Sequence, residues 1–221
     1  MDQQATPPVP PPPPPPVQRK GINLVDRAKN ILITPKPEWE IIDREQIPVP
    51  GILTAYILPL LLIGAFASFI GFGLIGTNGI KLGAGGGAVR GIIYVLFMAV
   101  MVFAVGAAID VLAPSFGSER NWPKSFRLAA YSFTAAYLGA IWWFFPSLWI
   151  LVLLCSLYSL YALYVGIAVI KKTAADKQVA YFAIVLLITV VLAIILSLIT
   201  TEIAKAFQPN PMNQYRRLFG G

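Results

Sequence analysis

The sequence has no histidine, one cysteine, and charge on only 12% of its 221 residues. Without histidine there is no His-based catalytic triad, no His or Cys/His zinc site and no histidine-ligated haem. Carboxylates, tyrosines and lysines are then the only conventional acid–base groups. Cys155 is alone, so no intrachain disulfide forms. We therefore expect no enzymatic activity, no catalytic residue, no metal and no cofactor. A polar surface is scarce as well. Ordinary globular domains are about one-quarter charged, whereas here hydrophobic residues reach 57% and the mean hydropathy is +0.71. That composition excludes a water-soluble core and leaves room for one helical bundle, with no catalytic domain beside it.

What the chain does have is long apolar runs, at about 52–76, 88–113, 126–145, 147–170 and 179–204. Each is long enough, at about 1.5 Å per helical residue, to cross roughly 30 Å of hydrocarbon. The expected fold is all-α, a polytopic transmembrane bundle of five helices preceded by short amphipathic helices. The third and fourth runs are separated only by Phe145, Pro146 and Ser147. They read either as a tight helical hairpin or as one long segment with a re-entrant piece. Two full spans are favoured, because some 20 residues suffice for each crossing. Trp142, Trp143 and Trp149 flank the proline as an interfacial belt does.

Pro7, Pro8 and the run from Pro10 to Pro16 form neither helix nor sheet ladder. Residues 1–20 therefore read as a disordered, polyproline II-like arm, a tether or a ligand for a protein partner. The arm has no apolar h-region, so it is expected to stay in the mature protein. Over residues 21–50 the pattern turns amphipathic. Leu24, Val25, Ala28, Ile31 and Leu32 are spaced for one helical face, with Asp26, Arg27, Lys29 and Asn30 largely opposite. Thr34-Pro35 breaks this helix. Pro37-Glu38-Trp39-Glu40 reads as the start of another, with proline and acidic side chains in its first turn. Both are too short to span, and are expected on the membrane surface or packed beneath the bundle. The spans then occupy 51–206, and 207–221 is a flexible tail.

Orientation follows from the basic residues. Arg19, Lys20, Arg27, Lys29, Lys36 and Arg44 precede the first span. Arg120, Lys124 and Arg127 follow the second, and Lys171, Lys172 and Lys177 follow the fourth. That side holds 12 of the 17 lysines and arginines; Lys81, Arg90, Lys205, Arg216 and Arg217 fall on the other. The positive-inside rule places the N-terminus in the cytoplasm and the C-terminus outside. The expected partners are the bilayer itself, through anionic headgroups on the cytoplasmic side, and a protein met by the arm. Nucleic acid is not expected for so dispersed a basic set.

Asp110 is an acid about one turn inside the second span, where an unpaired charge costs several kcal/mol. Arg127 and Tyr131 at the start of the third span, and Tyr161 and Tyr164 towards the cytoplasmic end of the fourth, lie at similar depth. These five are the candidate polar cluster; the alternative is that Asp110 caps the turn at Ala113-Pro114-Ser115. Tyr158, Tyr161 and Tyr164 form a stripe read mainly as glue between helices. Glu202 with Lys205 reads as an interfacial ion pair. Small residues recur four apart, as in Gly64/Ser68, Ala67/Gly71, Ala104/Ala108, Ala135/Gly139 and Ala162/Gly166, so the bundle should be compact. Such stripes serve contacts within and between chains alike, which leaves a homo-oligomer open. Pro59 should kink the first span. Gly83-Ala84-Gly85-Gly86-Gly87 lacks the Lys-Ser or Lys-Thr of a phosphate loop and reads as a flexible connector.

Several of these segments carry a resemblance. They are Ala28 to Pro35 followed by Glu38-Trp39, Ala113 to Gly117, Ala130 to Thr134, and Leu157 to Gly166. Over about residues 22–200 the chain resembles the Yip1 domain family, and looks closest to its bacterial branch. The resemblance implies five spans, a cytoplasmic N-terminus and no catalytic signature. Eukaryotic members are associated with endoplasmic reticulum and Golgi trafficking and with Rab GTPases; that role is not carried over to a bacterial-looking chain. Ala135 stands where the family commonly has a proline, so a kink there lacks its usual cause. The leading expectation is a non-enzymatic protein of the bacterial cytoplasmic membrane that organises membrane or recruits partners. The rival is a small-solute or ion transporter or channel using Asp110 and the Tyr158/Tyr161/Tyr164 stripe, and a permease-like subunit of a larger assembly is a third reading.

Overall fold

The computed structural model describes residues 23–76 and 81–206. The proline-rich arm and the tail after Ala206 lie outside them. So does the side chain of Lys205, and with it the expected pair with Glu202.

Two short helices come first. α1 (Leu24–Ile33) begins where the Asn23 side chain accepts the Asp26 amide, and ends at Thr34, ahead of a proline that disfavours helical backbone before it. α2 (Pro35–Arg44) opens with proline and Glu38 in its first turn and closes with Arg44 in its last, as the helix dipole prefers. Ile31, Trp39 and Ile42 are fully buried. They belong to the core of the bundle, and α2 lies against α7 (Trp149–Ile170).

α3 (Val49–Ile75) is helical throughout but contains two π turns. The first, Leu53–Ile57, falls just before Pro59. Pro59 has no N–H for the carbonyl one turn back, and the local register loosens to i→i−5, with Leu58 N–H on the Leu53 carbonyl. The second, Phe69–Ile75, holds Gly71 and Gly73. α4 (Gly83–Leu112) continues into a 3-10 turn at Ala113–Phe116. The glycine-rich stretch is thus the first turn of α4 and no connector. At its last glycine the reason is packing: a Cβ on Gly87 would meet the Phe69 carbonyl at 2.7 Å and the Gly73 Cα at 2.8 Å. Gly91 similarly faces the Ala65 carbonyl at 2.9 Å. Glycine here lets α3 and α4 touch backbone to backbone.

Among the described residues, four helices are long and apolar enough to cross a membrane: Val49–Ile75, Gly83–Phe116, Pro146–Ile170 and Ala175–Ile203. The last belongs to α8 (Ala175–Ala206), which presents Val179, Leu187, Ile194 and Leu198 outward. The run expected as the third span is an interrupted helix. α5 (Trp122–Ser132) stops at Phe133, α6 (Thr134–Gly139) resumes, and a 3-10 stretch covers Ala140–Phe144. Residues 122–144 would rise about 35 Å in total. The segment is also the most enclosed, with Phe126, Leu128, Ala129, Ala130, Tyr131 and Tyr137 all at 0% exposure.

The break needs no proline. Thr134 Oγ1 donates to the Tyr131 carbonyl at 2.6 Å, and the Ala136 amide donates to Ser159 Oγ on α7 at 2.9 Å. A hydroxyl from the neighbouring helix takes the place of a carbonyl in the ladder, a recognised cause of interruption. Other contacts set the direction of the pair: Gly139 meets Cys155, and Leu128 meets Gly166. As numbering rises along α5–α6 it falls along α7, so the two run antiparallel side by side.

Candidate functional site

The three basic segments that the sequence placed on one side come together at one end of the bundle. Arg127, on the first turns of α5, donates to the backbone carbonyls of Ile42, at 3.2 Å, and Glu45. Lys124 Nζ reaches Asp43 Oδ1 at 2.5 Å, and Lys172 Nζ lies 3.8 Å from Asp43 Oδ2. Lys171 Nζ donates to the Glu119 carbonyl at 2.9 Å, and the Ser118 and Thr173 hydroxyls bond at 2.9 Å. The end of α2, the α4–α5 loop and the α7–α8 loop therefore form one polar face.

Arg27 is joined to this face through Glu45. Its guanidinium donates to Glu38 Oε1 at 2.5 Å and to Glu45 Oε1, and lies 5.3 Å from the centroid of the Tyr131 ring. Asn30 Nδ2 holds the other Glu38 oxygen at 3.0 Å. The Arg27, Glu38 and Glu45 side chains are all 2–3% exposed. Charges so enclosed persist only when well paired, and removing one partner strands the others. This corrects the helical-wheel reading, which put Arg27 on the outer side of α1. Arg27 precedes Ile31 by four residues, and Glu38 precedes Ile42 by four, so both charges sit on the faces that turn inward. That spacing was the available signal for a buried pair.

Asp110 is 8% exposed and belongs to a second group. Its Oδ1 accepts from the Asn121 amide at 2.8 Å and from Ser125 Oγ at 2.9 Å, while Arg120 Nε stands 3.5 Å from Oδ2 and Lys171 Nζ 4.0 Å from Oδ1. The carboxylate thus serves the N-terminus of α5, where unpaired amides and the helix dipole favour a negative charge. It serves that end of α5 and not the Ala113-Pro114-Ser115 turn. Burial pushes the Lys171 ammonium below its ordinary pKa, and the Asp110 carboxylate pulls the other way.

The tyrosines divide. Tyr131 meets Tyr56 edge to face with centroids 4.8 Å apart, and the Tyr56 hydroxyl bonds Thr134 Oγ1 at 2.8 Å. Tyr158 donates to the Leu32 carbonyl at 2.6 Å, tying α7 to the end of α1. Tyr161 is half exposed and packs on Tyr158, and Tyr164 packs on Phe182 of α8. The five candidates therefore do not form one cluster: Arg127 and Tyr131 join the Arg27 group, Asp110 the α5 cap, and Tyr161 and Tyr164 neither. Arg27, Glu38, Glu45, Asp43, Lys124 and Lys171 are the polar residues the sequence reading left out. Among the described residues no group of histidine, cysteine or carboxylates is placed to hold a metal.

The chain matches the Yip1 domain family over residues 29–198. No curated protein and no solved structure matches it.

Proposed function

The chain belongs to the Yip1 domain family, and from that premise we propose that it is a non-enzymatic membrane protein that organises membrane or recruits partners, its N-terminal arm serving as the tether. One observation carries the proposal. The buried Arg27–Glu38–Glu45 group and the hold of Arg127 on the Ile42 and Glu45 carbonyls fasten α1 and α2 to the bundle. The helix that follows the arm in the sequence is thereby held against the bundle.

In this reading residues 122–144 make a fifth crossing, antiparallel to α7. The basic face is cytoplasmic, and the chain ends on the opposite side of a bacterial cytoplasmic membrane. The gathering of Lys124, Arg127, Lys171 and Lys172 at one end supports that orientation. A transport path through Asp110 and the Tyr158/Tyr161/Tyr164 stripe finds no support, since Asp110 is committed to the cap of α5 and the tyrosines lie apart from it.

Capture from native membranes with the full chain and with a chain lacking residues 1–20 tests the recruiting role. A partner retained only by the full chain is expected; identical captures exclude recruitment by the arm. In a Cys155→Ala background, Arg120→Cys should react with an impermeant thiol reagent only after the membrane is opened, and Lys81→Cys before. The reverse pattern overturns the orientation.

A further inference from the structure

Beside the Asp110 group, the basic face contains a cavity of about 320 Å³ whose walls include Ser118, Glu119, Asn121, Lys124, Lys171 and Lys172. We propose that this cavity binds the phosphate of an anionic phospholipid headgroup. Three lysines from two elements converge on it, one from α5 and two from the end of α7. The Lys171 side chain is 1% exposed, and its ammonium bonds the Glu119 carbonyl. At 4.0 Å the Asp110 carboxylate is too distant for a hydrogen bond to that ammonium. Of its three N–H donors, then, only one is used by these two groups.

Lys172 adds a second mark. Its φ of 50° is in the left-handed region, and it is the one non-glycine residue with positive φ among those described. Glycine ordinarily takes this place just past a helix, and a side chain there costs on the order of 1 kcal/mol. Lysine in that position holds its ammonium at the cavity, 3.8 Å from the Asp43 carboxylate that also pairs Lys124. Both ammonium groups are thus gathered around one shared counter-charge, which a phosphate can supplement.

Depth selects the source of the phosphate. Ile170, the last residue of an apolar span, also lines the cavity, so the site lies where hydrocarbon gives way to headgroups. Trp122, partly exposed at the start of α5, is placed as interfacial tryptophans are. Basic pockets between spans at this level suit phosphate-bearing headgroups. The inference rests on the membrane-embedded reading, with the basic face cytoplasmic, but not on recruitment by the arm.

The test is titration of the purified full chain in neutral detergent with a short-chain phosphatidylglycerol, the matching phosphatidylcholine, or inorganic phosphate. The readouts are bound lipid by native mass spectrometry and the shift in unfolding temperature. Saturable, selective binding of phosphatidylglycerol is expected. It should weaken at least tenfold in Lys172→Gln, whose side chain is 75% exposed, and further in Lys124→Gln/Lys172→Gln. Lys81→Gln, outside the cavity, should bind as the parent does. Equal binding of both lipids, an unchanged affinity in the double variant, or an equal loss in Lys81→Gln would overturn the site. Saturation by inorganic phosphate alone, with no preference for the lipid, would overturn the lipid assignment. Failure to capture a partner through residues 1–20 leaves these results untouched, so the two proposals fail separately.

Discussion

The amide of Ala136 donates to the hydroxyl of Ser159 at 2.9 Å, across the seam between the interrupted helix and α7. Removing that hydroxyl leaves a buried N–H without its partner. Ser159→Ala should lower stability by about 1–3 kcal/mol, the cost of an unsatisfied buried donor. Ser156→Ala, whose hydroxyl bonds only the Val152 carbonyl of its own helix, should cost less. Thermal unfolding of both variants in the same detergent compares them.

Arg27→Met strands Glu38 and Glu45 inside the fold, and a loss of about 3–5 kcal/mol is expected. Its form should be release of α1 and α2, read as rapid proteolysis between residues 24 and 48 while the spans stay protected. The triple change Arg27→Met/Glu38→Gln/Glu45→Gln removes every charge together and should restore most of the protection. Equal cleavage in the single and triple variants would show that the charges do not hold the helices.

Glycine positions should differ sharply. A Cβ on Gly166 would run into Leu128 and the Trp39 ring, so Gly166→Ala should cost about 1–3 kcal/mol through overpacking. Gly85, within α4, has nothing within 4 Å of an added Cβ. Gly85→Ala should therefore be neutral or stabilise by about 0.4–1 kcal/mol. Unfolding temperatures of the pair decide.

Lys171 gives a pH signature. Its folded-state pKa is depressed below the ordinary 10.5, chiefly by burial, so over the window between the two values the unfolded chain binds more protons. The contribution of Lys171 to stability therefore rises with pH through that window, and below it the cost of burying the ammonium is borne in full. The stability difference between the parent and Lys171→Met should shift in the parent's favour as pH is raised towards 10.5. Chemical denaturation at matched alkaline pH values measures it.

How far residues announce their surroundings varies along this chain. Apolar runs located, within about five residues, the four helices long and apolar enough to cross a membrane among the described residues, because hydrocarbon demands length and composition that sequence displays directly. Residues 122–144 were legible as an apolar run but not as an interrupted helix. Ala135 offered no proline, and the cause of the break is a hydroxyl more than 20 positions away. Asp110 stood out for its depth, yet its partners Asn121 and Ser125 come from a loop and helix start whose placement depends on packing. The Arg27 group was the least visible, since charge on a short amphipathic helix reads as solvated unless its spacing is compared with the buried isoleucines. The glycines at 83–87 misled for a related reason: glycine marks flexibility and close backbone approach with the same letter.

The hold on α1 and α2 also imposes an order on synthesis. Asp43 and the carbonyls of Ile42 and Glu45 take side-chain contacts from positions 124, 127 and 172, so the first two helices leave the ribosome long before those partners exist. A nascent chain arrested before position 122 has no α5 or α7 to cover Trp39 and Ile42. Translation through Lys172 is the moment at which the earliest-made part of the protein is finally shut.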